Sequence, residues 1–247
     1  QDTVGPPCRE CDVQIAEGGE ILVKSPGNFA GYFKNPEATR EVMTDDGWLR
    51  TGDPGIMTDD GHLKVIDRAR DVGALNDGTL FAPQYIENKL KFFPYIREAV
   101  AHGNSRDYVT AFINIDLEAV GNYAERIGLS YSGYTDLSQR PEVYELIARN
   151  IEEVNQDLSR DSSLSSSQIR RFIILHKELD ADDGELTRTR KIRRATIADR
   201  YGDLIEALYS SKQEVAVEAS VTLEDGRSST FNANLRIHDA ATAVNKA

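Results

Sequence analysis

The chain has 247 residues, of which 40% are hydrophobic and 28% charged, and this composition excludes a disordered protein. Its formal net charge of −12 argues against nucleic acid as a partner, because phosphate binding requires an excess of Lys and Arg. No apolar run approaches the roughly 20 residues that cross a bilayer, so no transmembrane segment is predicted. Cys8 and Cys11 lack two further ligands at zinc spacing, so no metal site is predicted either.

The first part of the chain, residues 1–67, is predicted to form short strands and turns. Residues 12–16 and 20–24 flank a Glu-Gly-Gly turn, which is typical of a β-hairpin. A short helix is predicted from Pro36 to about residue 43, because Pro is favoured in the first turn of a helix. A second strand pair flanks the Asp-Asp-Gly turn that ends at Gly61.

The middle of the chain is predicted to mix helices and strands. A helix begins at Pro83, and a long helix over residues 141–160 carries an apolar stripe. Residues 162–167 are rich in serine and are predicted to be a linker. The remaining predicted elements are strands at 99–102, 108–116 and 171–176, a helix at 117–127 and a final amphipathic helix at 197–208.

The tail, residues 212–247, is predicted to be a β-hairpin. Apolar residues alternate with polar ones over 215–223 and again over 231–237, on either side of a Glu-Asp-Gly-Arg turn. The hairpin has one apolar face, which must be buried against a larger body. The elements together predict the α+β class.

Two polar clusters, one in the first part and one at its end, have residues suited to nucleotide binding. Asp53 follows Thr-Gly and can offer both carboxylate oxygens to a vicinal diol such as that of ribose, although any turn can contain these residues. Arg68 and Arg70 lie in the run Asp-Arg-Ala-Arg-Asp, and a guanidinium presents several donors to a nucleotide. The alternative for both arginines is a surface ion-pair cluster.

A third cluster surrounds Lys191. Five of the seven residues from 188 to 194 are basic, in an otherwise acidic chain, and Gly-Glu-Leu-Thr precedes them. A lysine ammonium can stabilise the negative charge that builds up where a carboxylate meets an α-phosphate. The alternative is a solvated basic start of the last helix.

In this order, the three clusters resemble motifs of the adenylate-forming ligases, specifically the long-chain fatty acyl-CoA synthetases. The resemblance rests on residues 47–53 (Gly-Trp-Leu-Arg-Thr-Gly-Asp), 61–68 (Gly-His-Leu-Lys-Val-Ile-Asp-Arg) and 184–191 (Gly-Glu-Leu-Thr-Arg-Thr-Arg-Lys), and it covers about residues 1–211. Arg188 stands where the family often has Pro.

The resemblance implies a role for each charged residue. Asp53 and Arg68 would bind the nucleotide, and Lys191 would be the catalytic lysine of the adenylation step. Arg70 stands where the family has its hinge, usually a Lys or Asp, about which the small C-terminal domain rotates between the two half-reactions.

The loop before the predicted helix at Pro83 resembles the segment that lines the pantetheine tunnel for CoA. The candidate residues there are Gly78, Phe81 and Ala82. No metal ligand is assigned in this chain, and the Mg²⁺ of the family is expected to bind in the missing N-terminal part.

The resemblance also implies a division of the chain. Residues 1–67 would be the end of a β-rich subdomain of the large adenylation domain, 68–211 the hinge and a small α+β swinging lid domain, and 212–247 a β-hairpin extension. The family's phosphate loop and its Tyr-Gly-x-Thr-Glu segment do not occur in this sequence. The chain is therefore expected to be a fragment that is inactive without an N-terminal adenylation body.

The implied activity is that of an ATP-dependent long-chain fatty acid–CoA ligase. Such an enzyme forms an acyl-adenylate and pyrophosphate, then transfers the acyl group to CoA and releases AMP. Its small-molecule partners would be a fatty acid, ATP and CoA, and the expected location is cytoplasmic, with peripheral membrane contact left open. Two alternatives remain: a small-acid ligase or peptide-synthetase adenylation domain, and a non-catalytic truncated lid module or interaction subunit.

Overall fold

The computed structural model describes residues 3–17, 19–65, 72–161, 164–222 and 228–243. The chain divides into two compact units, Gln1–Val72 and Gly73–Ala247. Both units contain sheet and helix, and each is built around its own sheet.

The first unit contains a four-stranded antiparallel sheet with the strand order β1-β2-β3-β4. Its strands are β1 (Asp12–Ile15), β2 (Glu20–Lys24), β3 (Leu49–Met57) and β4 (Leu63–Val65). The short helix α1 (Pro36–Val42) begins after Asn35, whose side chain accepts a hydrogen bond from the Ala38 N–H and caps the helix. The predicted hairpin, helix and second strand pair are confirmed; Gly18, in the predicted turn, lies outside the described residues.

The second unit contains a five-stranded sheet with the order β10-β11-β9-β8-β7, and a small two-stranded sheet, β5-β6. All pairs are antiparallel except β8 with β9. The strands are β5 (Gly73–Ala74), β6 (Leu80–Phe81), β7 (Ile96–His102), β8 (Val109–Ile115), β9 (Ile169–Ile174), β10 (Glu214–Thr222) and β11 (Ser228–Asp239). The tail hairpin therefore continues the main sheet, because β11 pairs with β9.

Helices cover both faces of this sheet. Successive residues of a strand point to opposite faces, so neighbouring strand residues pack against different helices. Phe112, Ile173 and Ile237 belong to a buried cluster with the helices near residue 200, whereas Phe172 stacks on Tyr144 of the long helix at 5.7 Å between ring centroids. The helices are α2 (Pro83–Lys91), α3 (Leu117–Arg126), α4 (Tyr134–Ser138), α5 (Pro141–Leu158), α6 (Arg194–Arg200) and α7 (Gly202–Leu208).

The structure adds three details to the predicted elements. The final helix is divided into α6 and α7 at Tyr201. The Tyr201 hydroxyl donates to the buried carboxylate of Glu185. The short helix α4 was not predicted. The serine-rich linker is packed against the fold where it is described, because Leu164 and Ser167 are fully buried and the Ser167 hydroxyl donates to the Leu80 carbonyl.

The described residues include no helix that is long and apolar enough to cross a membrane.

Candidate functional site

Lys191 lies in an exposed loop at the end of a short two-stranded stem. Leu186 and Ile192 form a bridge, and the Thr187 N–H donates to the Lys191 carbonyl at 2.8 Å. The Lys191 N–H donates to the Thr187 hydroxyl at 3.0 Å, and Arg190 closes the turn with a positive φ of 58°. Among the described residues, no carboxylate pairs with the Lys191 ammonium, so the stem fixes its backbone while the charge faces solvent.

The base of this loop is held by a buried carboxylate, that of Glu185, which has no exposed surface. Its Oε1 accepts hydrogen bonds from Arg200 Nη1 and from the Tyr201 hydroxyl, both at 2.7 Å, and lies 3.2 Å from Lys177 Nζ. Its Oε2 accepts from the Asp180 N–H at 3.0 Å. Burial alone would raise the pKa of Glu185, but these donors outweigh it and hold the pKa below its usual value.

A second buried carboxylate reaches the other end of the loop. Arg194, the first residue of α6, donates through Nη1 and Nη2 to the two oxygens of Glu87, each at 2.8 Å. Glu87 lies on α2 and is 2% exposed, and its Oε1 also accepts from the Ala101 N–H at 2.9 Å. Burial raises the pKa of Glu87, and the guanidinium opposes that rise. This two-point contact joins α2 to the segment that follows Lys191.

The loop predicted for the CoA tunnel lies just before α2. Gly78 is exposed with φ of +84°, and its N–H donates to the Leu75 carbonyl at 3.0 Å. Phe81 and Ala82 are 4% and 0% exposed, so their side chains belong to the core of this unit. The exposed part of the loop is therefore its tip, residues 76–78, and the two larger candidates serve as its buried anchor.

The Asp53 segment lies in the first unit, inside β3. The pairing of β2 with β3 is irregular here, since Glu20 pairs with Pro54 and Leu22 with Arg50. Gly52 has φ of +73°, and its N–H donates to Glu20 Oε1 at 3.0 Å.

Thr51 completes this turn, because its hydroxyl donates to the Ile21 carbonyl at 2.8 Å and accepts from the Asp53 N–H at 3.1 Å. The Asp53 side chain is half-buried, and no described side chain pairs with its carboxylate. The segment therefore fixes the backbone of Asp53 and leaves both carboxylate oxygens available to a ligand.

The two other predicted charged residues, Arg68 and Arg70, lie outside the described residues. Within the described ranges, no group of three or more His, Cys, Asp or Glu side chains could hold a metal ion.

Sequence reasoning missed the two buried carboxylates that hold the lysine loop. Glu185 lies within the quoted Gly-Glu-Leu-Thr run, and Glu87 occupies the buried face of α2 beside Ile86. A charged residue beside apolar ones on a helix face is a signal for a buried ion pair, because charges are rarely buried without a partner. The identity of that partner could not be deduced, since 107 residues separate Glu87 from Arg194.

Comparisons with known proteins point to one family. Residues 70–213 match the family described as AMP-binding enzyme C-terminal domain. The chain is 34% identical over 211 residues to the long-chain-fatty-acid–CoA ligase FadD15 of Mycobacterium tuberculosis, covering 85% of this chain and 34% of that protein. It is also 34% identical over 205 residues to the human long-chain-fatty-acid–CoA ligase 1, covering 82% of this chain and 29% of that protein.

Solved structures agree with these relatives. The adenylation domain of a carboxylate reductase from Mycobacterium chelonae matches with a TM-score of 0.56 and 27% identity, over 83% of this chain and 31% of that one. The chain spans about a third of the length of the relatives that it matches. The resemblance to adenylate-forming ligases is confirmed: the chain belongs to the AMP-binding enzyme C-terminal domain family.

Proposed function

We propose that this chain supplies the ribose-binding strand and the catalytic lysine loop of an ATP-dependent long-chain fatty acid–CoA ligase. The reaction forms an acyl-adenylate and pyrophosphate from a fatty acid and ATP. The acyl group then passes to the thiol of CoA, and AMP is released. The names of the relatives support the substrate class, and the small-acid ligases and peptide-synthetase adenylation domains remain its near alternatives.

One observation carries the proposal: Lys191 is exposed and without a carboxylate partner among the described residues, while the stem beneath it is bonded to a buried carboxylate. A surface lysine without a positioned role needs no such support. The loop can therefore bring one positive charge to the point where the fatty acid carboxylate attacks the α-phosphate. Because the charge is needed only there, Lys191 serves the adenylation step.

The remaining predicted residues have roles in nucleotide binding, domain rotation and CoA binding. Asp53 binds the ribose diol throughout the reaction, with Arg68 reaching the same nucleotide and Arg70 as the hinge. Gly78, with the backbone of Phe81 and Ala82, borders the path of CoA.

We propose the domain boundaries of the resemblance as they stand: residues 1–67 as the end of the large adenylation domain, 68–211 as hinge and lid, and 212–247 as the hairpin extension. An adenylation body supplies the phosphate loop and the site for Mg²⁺.

Complementation tests this function. We would join the chain to the adenylation body of FadD15 and measure fatty-acid-dependent ATP–pyrophosphate exchange and acyl-CoA formation. The expected result is both activities with a long-chain acid in the chimera, and neither in the body alone nor in the chain alone. Exchange with acetate but not palmitate would move the substrate class to small acids. A folded chimera without exchange for any acid would overturn the ligase function and favour the non-catalytic module.

A further inference from the structure

The lysine loop and the 73–82 loop are far apart in sequence, yet each continues directly into a helix that carries one member of the Glu87–Arg194 pair. Arg194 comes three residues after Lys191, and Glu87 lies one turn into α2, which begins right after β6. Both helices are short, and neither has a side-chain N-cap, so their first turns depend on tertiary contacts for their position. The ion pair is such a contact for both.

We propose that the Glu87–Arg194 pair is a positioning element shared by the two loops, whereas Glu185 positions the lysine loop alone. This inference rests on the proposed function, in which the lysine loop serves adenylation and the 73–82 loop serves thioester formation. Loss of the shared pair then affects both half-reactions, and loss of Glu185 affects only the first.

The geometry of the pair explains why it can fix two segments at once. A guanidinium that donates both Nη groups to one carboxylate sets the direction as well as the distance of the contact, which a lysine could not do. The third bond, from the Ala101 N–H to Glu87, ties the carboxylate to β7 in the main sheet. Both loops are thus positioned relative to the same sheet.

The surroundings of Glu185 differ, because the partners of its carboxylate all come from residues 177–201. Lys177, Asp180, Arg200 and Tyr201 all flank the lysine loop within the same stretch of chain. None of them belongs to the 73–82 loop or to α2. These contacts therefore do not link Glu185 to the 73–82 loop, which borders the proposed path of CoA.

Hydrogen exchange on the whole 247-residue chain tests the inference without requiring activity. The probes are the Thr187 and Arg193 amides of the lysine-loop stem and the Leu75 and Gly78 amides of the other loop, all of which donate to backbone carbonyls. Glu87→Gln should speed hydrogen exchange at both sets by about tenfold or more, because it removes the charge from the hydrogen bonds that hold both segments. Glu185→Gln should speed exchange only at the stem. Glu142→Gln, at an exposed position in the first turn of α5, is the matched control and should change neither.

A second variant keeps the test valid if Glu87→Gln unfolds. The double variant Glu87→Met/Arg194→Met removes both charges together, which avoids leaving one of them buried and unpaired. It should fold and still show faster exchange at both loops, because an apolar contact lacks the direction of the paired hydrogen bonds. Native exchange at either loop in this variant, or faster exchange at one loop only in Glu87→Gln, would overturn the shared role.

The chimera supplies the functional readout. Glu87→Gln should slow pyrophosphate exchange and also thioester formation from preformed acyl-adenylate, each by about tenfold for a loss of 1.4 kcal/mol. Glu185→Gln should slow pyrophosphate exchange and leave thioester formation unchanged. An inactive wild-type chimera would count against the proposed function but would not affect the hydrogen-exchange result on the chain. Failure of the proposed function can therefore be distinguished from failure of the shared positioning role. Equal slowing of both steps by Glu185→Gln would contradict the separation.

Discussion

The Lys191 loop and the Asp53 segment present their charged groups in different ways. Lys191 is at the exposed end of a loop whose base is held by side chains, chiefly the buried carboxylate of Glu185. Asp53 is inside a strand, between the paired positions Arg50 and Pro54, and its backbone is held by the Thr51 hydroxyl and by the left-handed turn at Gly52. The first arrangement suits a group that acts at one step, and the second suits a group that stays at the site.

The contacts that support a charged group are therefore as informative as the group itself. A loop held by a few buried side chains can be displaced as a unit without breaking the sheet behind it. A residue that lies between two paired positions of the same strand cannot be displaced without disturbing that pairing. The two substitutions below are therefore expected to have different kinetic signatures.

The largest expected effect is that of Lys191→Ala in the chimera. Adenylation should slow by on the order of 100-fold or more, because one well-placed charge at the developing transition state is lost. Thioester formation from preformed acyl-adenylate should be nearly unchanged. Single-turnover measurements of the two half-reactions check this, with Arg188→Ala as the control for removing a positive charge from the same loop. Equal slowing of both steps, or of neither, would return Lys191 to a basic surface residue.

Asp53→Ala should weaken nucleotide binding in both half-reactions by about tenfold or more, because a charge-assisted hydrogen bond to the ribose contributes roughly 1.5–3 kcal/mol. The measurement is the KM for ATP in the first step and the affinity for the acyl-adenylate in the second. Asp59→Ala, at an exposed position in the following turn, is the matched control. An effect confined to one step would remove the contrast with Lys191.

The support beneath the lysine loop should depend on pH. The hydrogen bonds to Glu185 lower its folded pKa, so their stabilisation is fully present above the unfolded pKa of about 4.3 and is lost as the pH falls through the folded value. Glu185→Gln should lower the free energy of unfolding by about 1.5–3 kcal/mol at pH 7. The difference from wild type should shrink below about pH 4.

Helical ellipticity at 222 nm measures this unfolding chiefly in the second unit, which contains all the long helices, while Trp48, the single tryptophan, reports the first unit. The comparison with the Glu185→Gln variant is needed because Glu87 changes the pH dependence of stability in the opposite direction, since burial raises the pKa of Glu87. A difference that stayed constant down to pH 3 would contradict an ionised, hydrogen-bonded Glu185.

The smallest expected effect concerns the glycine before Glu185. Gly184 has φ of +74° and open space where a Cβ would stand, so Gly184→Ala meets only the cost of the left-handed conformation, about 1–2 kcal/mol. Gly202→Ala is the matched control in the same unit, since its Cβ also meets open space without a positive φ. Urea unfolding followed at 222 nm should show a loss for the first variant and no loss for the control. A loss of equal size in both would mean that backbone conformation is not the cause.

Much of the fold could be predicted from local patterns. The hairpin of β1 and β2, the helix from Pro36, the long helix α5 and the tail hairpin all follow from short-range signals: turn residues, an N-terminal Pro and apolar periodicity. The division of the final helix at Tyr201 could not be predicted, because the apolar residues Ile197, Leu204 and Leu208 continue across it. The hydrogen bond from Tyr201 to Glu185 joins residues that only the folded chain brings together.

The same limit applies to the candidate site. The family and the proposed site residues, Asp53 and Lys191, could be inferred from the sequence alone, because motifs are runs of neighbouring residues. The burial of Phe81 and Ala82 and the contact of Glu87 with Arg194 became visible only in the folded chain. Burial and ion pairing are properties of contacts between distant segments, and the desolvation that makes such contacts matter exists only after the core has formed.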